Sequence, residues 1–193
     1  MTSHCRVVLA LTGASGAAIG LRIAERLAGR GDVATQLVVS DAAMRTLAHE
    51  IGPDAWERLA ACADTVHQAG DIGSTIASGS FRTAGMIVAP CSMRTLAAIA
   101  TGLSDNLITR TADVHLKERR RLLLLARETP LHLGHLRNMV AVTEMGAIVM
   151  PPVPAFYQRP QSLADVIDHL AARAIDMLRL PGAGSAVEWD GKA

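Results

Sequence analysis

Aromatic residues are nearly missing from this chain: Trp56, Trp189, Phe81, Phe156 and Tyr157 are the whole set among 193 residues. Half of the residues are apolar, so the core has to be built from Ala, Val, Leu, Ile and Met. Cysteine is as scarce. Cys5, Cys62 and Cys91 are odd in number, far apart and in no C-x-x-C pair, which argues against a disulfide framework or a structural zinc site. Neither sign of charge dominates: the formal net charge is +1, so no bulk attraction to nucleic acid or to an anionic membrane is implied. No apolar run approaches the roughly 18 residues that a membrane span needs. The N-terminus has no apolar stretch leading to a small-residue cleavage site, and the expected location is the cytoplasm. Gly-x-Ser-x-Gly, His-Glu-x-x-His and Asp-rich magnesium patterns are also absent, so a hydrolase elbow and a metal-dependent mechanism have no support.

What is present is one domain's worth of alternating strands and helices over 1–180, followed by a tail at 181–193. The organising stretch is Thr12-Gly13-Ala14-Ser15-Gly16. It follows the apolar strand 5–11 and opens a helix over 16–29. A glycine-rich strand-to-helix turn places unpaired N–H groups and a partial positive charge at one spot, where a phosphate can sit and Ser15 can cap. The turn is neither G-x-G-x-x-G nor a P-loop.

Further strands are expected at 35–40, 64–67, 85–90, 122–126 and 146–150. Helices are expected at 41–50, 54–62, about 93–101, 105–119, after a Thr129-Pro130 start, and from the Ser162 cap through Leu178. The pattern predicts a three-layer Rossmann-like α/β domain with a mainly parallel sheet.

In such a sheet ligands bind at the carboxyl ends of the strands. Gly13 to Ser15, Ser40, Ser92 to Thr95 and Arg127-Glu128 stand there. Small hydroxyl residues with two arginines, Arg94 and Arg127, suit a phosphate and a polar ring. On the helix 105–119, Arg110 and Lys117 fall two turns apart on one stripe, suited to a second phosphate, although Asp113 and Lys117 also make an ordinary i,i+4 pair. The run Arg119-Arg120-Arg121 reads as a solvated helix end. His132 and His135 read as capping or packing residues, Cys91 as a structural thiol, and no metal ligand is assigned.

Taken together in order, several blocks closely resemble the flavin prenyltransferases of the UbiX/Pad type over about 5–180. They are Thr12-Gly-Ala-Ser-Gly16, Val39-Ser40, Ser78-Gly-Ser-Phe81, Pro90-Cys-Ser-Met-Arg-Thr95, Asn106-Leu-Ile-Thr-Arg-Thr-Ala-Asp-Val114, Leu116-Lys-Glu-Arg-Arg120, Arg127-Glu-Thr-Pro-Leu131, and Pro151-Pro-Val-Pro-Ala-Phe-Tyr157 with Arg159-Pro-Gln-Ser162. The resemblance implies a homododecamer with sites at subunit interfaces. It implies that a dimethylallyl group passes from dimethylallyl phosphate to N5 and C6 of reduced FMN, and that the prenylated FMN serves a UbiD-type decarboxylase. By the same resemblance Gly13, Ala14, Ser15, Ser40, Ser92, Met93, Arg94, Thr95 and Arg127 hold FMN. Arg110, Lys117, Tyr157 and Arg173 hold the donor phosphate. Ser15, Glu50 and Glu128 are catalytic, and Phe81 or the flavin itself faces the allyl cation. Two other readings share the fold: an FMN-dependent cysteine-type decarboxylase and a non-catalytic FMN carrier.

Overall fold

A strand whose consecutive residues are apolar has to be covered on both faces, and the buried runs 7–11, 86–89 and 122–126 are of that kind. In the computed structural model, which describes residues 5–182, 184–187 and 191, six strands form one sheet. They are β1 (Cys5–Leu11), β2 (Val33–Val39), β3 (Thr65–Gln68), β4 (Gly85–Cys91), β5 (Arg121–Ala126) and β6 (Ile148–Val149). Their spatial order is β3-β2-β1-β4-β5-β6, and all neighbours are parallel. Side chains alternate between the faces. Val7, Leu9, Leu11, Leu37, Ile87 and Leu123 pack against α1 (Ala17–Ala28), α2 (Asp41–Glu50), α3 (Ala55–Ala61) and α7 (Leu163–Met177). Val8, Ala10, Val38, Met86, Val88 and Leu124 pack against α4 (Met93–Ala100), α5 (Leu107–Lys117) and α6 (Leu133–Glu144). This is the expected three-layer α/β domain.

Two helices of the first layer are clasped by charge. Arg22 reaches Asp168 at 2.6 Å and Arg26 reaches the same carboxylate at 2.9 and 2.6 Å, joining α1 to α7. These guanidiniums, Arg26 foremost, pull the Asp168 carboxyl down to about 2.

Three local expectations are corrected, and the described part of the tail is placed. The helix expected to start at Thr129-Pro130 begins at Leu133, because the His132 ring supplies the cap: its Nδ1 accepts from the N–H groups of Gly134 and His135 at 3.0 and 3.3 Å. The last strand shrinks to Ile148–Val149, since β6 lies at the sheet edge and pairs only with β5. Arg119-Arg120-Arg121 is not a simple solvated run. Arg120 donates to the carbonyls of Phe81, at 2.8 Å, and Gly79, and Arg121 donates to Met177 O at 3.2 Å. The described part of the tail docks on α7, where the Asp176 carboxylate accepts from the N–H groups of Ser185 and Ala186 at 2.6 and 3.0 Å.

His115 on α5 is a buried titratable group of the core, 1% exposed. Its Nδ1–H donates to Thr111 O at 2.8 Å, and its Nε2 accepts from the Thr83 hydroxyl at 2.9 Å. That pattern needs a neutral ring, and burial pushes its pKa down to about 4. Unfolded histidine titrates near 6.5. The stabilisation from keeping His115 neutral is therefore complete above about pH 6.5 and lost as pH falls toward 4, about 3 kcal/mol in all. Urea unfolding at about pH 7 and about pH 5 should show about 2 kcal/mol of this loss in the wild type and less in His115→Gln. Equal losses in the two proteins would remove His115 as the source.

Candidate functional site

The strand order reverses between β1 and β4, so the loops after them part and open a crevice. One side chain holds its two walls together. Thr12 is 2% exposed; its hydroxyl donates to Pro90 O at 2.8 Å and accepts from Ser92 N–H at 2.8 Å. The Thr12 N–H also reaches Pro90 O, at 3.2 Å. Proline has no N–H to give a ladder, and the β4–β5 register shifts between Val88 and Cys91. Thr12 repairs that end of β4 from the β1 side.

Gly13 is required by proximity. A Cβ there would stand 2.5 Å from the Cβ of Ala42, so the turn lies directly on the N-terminus of α2. Ser40 caps α2 by accepting from Ala43 N–H at 3.2 Å, and Ser92 caps α4 by accepting from Thr95 N–H at 3.3 Å. Two helix N-termini thus converge on a cavity of about 1010 Å³, at the upper end of the range for small-molecule sites. Gly13, Ser40, Ser92, Arg94 and Thr95 line it, as does Thr12.

The α1 N-terminus differs from expectation. Gly16 takes a left-handed conformation (φ 107°) and Ser15 does not cap. The carboxylate of Glu50 caps instead, accepting from Gly16 N–H at 3.0 Å and Ala17 N–H at 2.8 Å. The anion drawn to this helix dipole is the chain's own. A ligand phosphate is left the N-termini of α2 and α4, and Arg94 makes the second of these the more positive. Asp105 accepts from Arg94 and restrains it.

Other expected residues fall elsewhere. Ala14 and Ser15 stand on the turn outside the cavity lining, and the Met93 side chain is packed in the core beneath α4. Arg127 and Glu128 are exposed beyond β5; Arg127 N–H donates to Cys91 O at 3.1 Å, and Glu128 accepts from Thr129 N–H at 3.0 Å. Cys91 is fully buried and its thiol is pushed up to about 12, so it is structural. The Phe81 ring carries the Arg6 guanidinium at 4.6 Å, which leaves one face fewer for an allyl cation. Among the described residues, no group of three or more His, Cys, Asp or Glu side chains could hold a metal.

The four residues expected at the donor phosphate are divided. Arg110 and Lys117 are on α5, paired with Asp113 at 2.8 Å and Glu118 at 2.5 Å. Tyr157 and Arg173 line a separate cleft of about 560 Å³ beside α7. The two helices cover opposite faces of the sheet, so one chain does not bring these groups together.

Sequence reasoning missed part of the cavity wall: Asp41, Trp56, His67, Gln68 and Asn106 also line it. His67 is fixed by two bonds, Nε2–H to Gln36 Oε1 at 2.9 Å and Nδ1 from the Ser74 hydroxyl at 2.7 Å, and burial lowers its pKa. The signal available was the polar Thr65–Gln68 strand at a sheet edge, within a stretch that has no clear periodicity.

The flavoprotein family profile matches residues 1–174. The flavin prenyltransferase UbiX of Neisseria meningitidis serogroup B (strain ATCC BAA-335 / MC58) is 52% identical over 188 residues, covering 97% of this chain and 98% of the relative. The crystal structure of AnUbiX (PadA1) in complex with FMN and dimethylallyl pyrophosphate superposes with a TM-score of 0.90 at 47% identity, covering 98% of this chain and 100% of that one. A dodecameric FMN-dependent UbiX-like decarboxylase from Escherichia coli O157:H7 gives 0.91 at 44% identity, covering 96% and 100%.

Thr12→Val keeps the shape but leaves Ser92 N–H and Pro90 O without their partner. It should cost about 1–3 kcal/mol of stability in urea unfolding. An unchanged midpoint would show that the hydroxyl is not what joins β1 to β4.

Proposed function

We propose, for a chain that belongs to the flavoprotein family and within it to the flavin prenyltransferases, a site in which one subunit binds FMN and a neighbouring subunit completes the donor pocket. The reaction joins the dimethylallyl group of dimethylallyl phosphate to N5 and C6 of reduced FMN, giving prenylated FMN. Reduced FMN, when bound, supplies those two atoms as the carbon acceptors. The crevice fits FMN: the capped N-termini of α2 and α4 offer N–H groups to a phosphate, and Gly13 leaves the turn open to close approach. Ser40, Ser92, Arg94 and Thr95 would hold the flavin phosphate, with Gly13 and Ala14 at its edge. Arg127 and the backbone of Met93 would complete the wall.

The observation that carries the donor site is the separation of Arg110 and Lys117 from Tyr157 and Arg173. Breaking the allylic C–O bond leaves its electron pair on the phosphate oxygen. Preorganised cations stabilise that charge only when they surround it. A second copy supplies the missing pair. Exposed apolar residues give such copies something to bury: Leu133, Leu136 and Val140 run along one side of α6, and Phe156 and Leu163 are exposed as well. A dodecamer like the Escherichia coli relative is the assembly we propose.

Glu128 and Glu50 would handle protons: closing the ring at C6 requires a base to accept the proton displaced there. Glu50 is oriented for this by the Gly16 and Ala17 N–H groups, with Ser15 beside it as a relay. The product would pass to a UbiD-type decarboxylase.

Glu128→Gln should slow turnover by about a hundredfold or more; an unchanged rate would remove it from the mechanism. Arg173→Ala and Lys117→Ala should each keep FMN but lose phosphate release from the donor. Co-expression of these two variants should restore release in mixed assemblies. Failure of every mixed assembly, with both single variants inactive, would place all four donor groups in one subunit.

A further inference from the structure

Lys117 ends α5 with a point charge on a flexible stem, and a cation of that kind stabilises a leaving phosphate best when its place is fixed beforehand. Its surroundings fix it. Glu118 accepts from Lys117 Nζ at 2.5 Å, and the pair leans on Gly79 of the 78–81 turn. A Cβ at Gly79 would fall on the Glu118 carboxylate and stand 2.9 Å from Lys117 Nζ. The turn precedes β4 and Lys117 precedes β5, so both stand toward the amino ends of the strands, away from the crevice at the carboxyl ends. The ammonium is therefore placed by this corner of the chain and not by the crevice.

Arg120 holds the corner together. α5 ends in a Schellman turn: Arg119 is left-handed (φ 56°), its N–H reaches Leu116 O at 3.1 Å, and Arg120 N–H reaches His115 O at 2.8 Å. That turn directs the Arg120 side chain, 16% exposed, onto the 78–81 turn. Its guanidinium donates to Phe81 O at 2.8 Å, to Gly79 O and to the Thr83 hydroxyl at 3.4 Å, and the Glu118 carboxylate lies 4.0 Å from it. The turn's own ties are local: Phe81 N–H to Ser78 O at 3.2 Å, and the Ser78 and Ser80 hydroxyls to each other at 2.9 Å.

One guanidinium on two carbonyls makes the 78–81 turn a fixed seat, and Gly79 leaves room on that seat for the Lys117 head group. We infer that Gly79 and Arg120 are positioning residues for the prenyl transfer: they set where the Lys117 ammonium meets the donor phosphate, and they touch neither substrate. The inference rests on the reading of Lys117 as a donor-phosphate residue. Their effect is exerted in binding. A lysine already held in place does not have to be ordered when the phosphate arrives, and that saving appears as affinity for the donor.

Gly79→Ala tests the seat without endangering the fold, because the new Cβ meets the far ends of two flexible side chains and the head group moves instead. Arg120→Gln removes the clamp. Dimethylallyl phosphate should be titrated calorimetrically into the assembled protein holding oxidised FMN, so that binding is read without turnover. Kd for dimethylallyl phosphate should rise about tenfold in each variant, with Kd for FMN unchanged. Lys117→Ala should raise it at least as much, and adding Gly79→Ala or Arg120→Gln to Lys117→Ala should change it no further. A variant that merely loosens the fold lowers the stoichiometry and leaves Kd alone. If Lys117→Ala raises Kd while Gly79→Ala or Arg120→Gln does not, the role of that residue is overturned and the donor site stands. An equal rise from Gly79→Ala with and without Lys117 overturns it too. If Lys117→Ala leaves Kd unchanged, the donor reading itself fails, and the inference with it.

Discussion

The buried hydroxyl of Thr12 is the joint on which the site depends. It donates to Pro90 O and accepts from Ser92 N–H, so the ends of β1 and β4 are held at one separation where the sheet reverses direction. Two walls of the cavity are reached from that joint. Gly13 comes next in the chain and rests on Ala42, which sets where α2 begins. Ser92 comes next after β4 and caps α4. A proline near the end of a central strand would ordinarily be a defect; here its free carbonyl is what Thr12 binds.

Charge then sorts the helix ends around the crevice. Three of the helix N-termini at this end of the sheet are treated differently from one another. Glu50 neutralises that of α1, Asp41 sits in the first turn of α2, and Arg94 adds to the positive end of α4. In the proposed site the flavin phosphate would be steered to one side, while the Glu50 carboxylate is held on the other by the Gly16 and Ala17 N–H groups. The donor site is organised by a different rule. The cations proposed for it lie on opposite faces of a single chain, so gathering negative charge on a leaving phosphate there would require assembly. The exposed apolar stripe on α6 would supply driving force for the assembly proposed.

Much of this was legible in the residues. The continuous runs Gly85 to Ala89 and Leu122 to Ala126 can only be strands buried on both faces, and they are. Ser40, Ser92, Arg94 and Thr95 were recognisable because strand ends are where ligands bind. What was not legible depends on contacts distant in sequence. Glu50 caps a helix that starts 33 residues earlier at Ala17, and no local pattern announces it. The His132 cap was hidden by a better-known Thr-Pro start signal. His67 lies in a stretch without periodicity, and it reaches the cavity because β3 pairs with β2 at the sheet edge. Arg120 looked solvated from its neighbours, although carbonyls some 40 residues away fix it.

The central claim is that this crevice transfers a prenyl group to the flavin and does more than hold it. The direct measurement is the mass of flavin extracted after anaerobic incubation of the protein with reduced FMN and dimethylallyl phosphate. The account predicts a flavin heavier by one C5H8 unit, formed only when both compounds are present. Unmodified FMN recovered from the protein would contradict it, leaving a flavin carrier or a decarboxylase of the same fold.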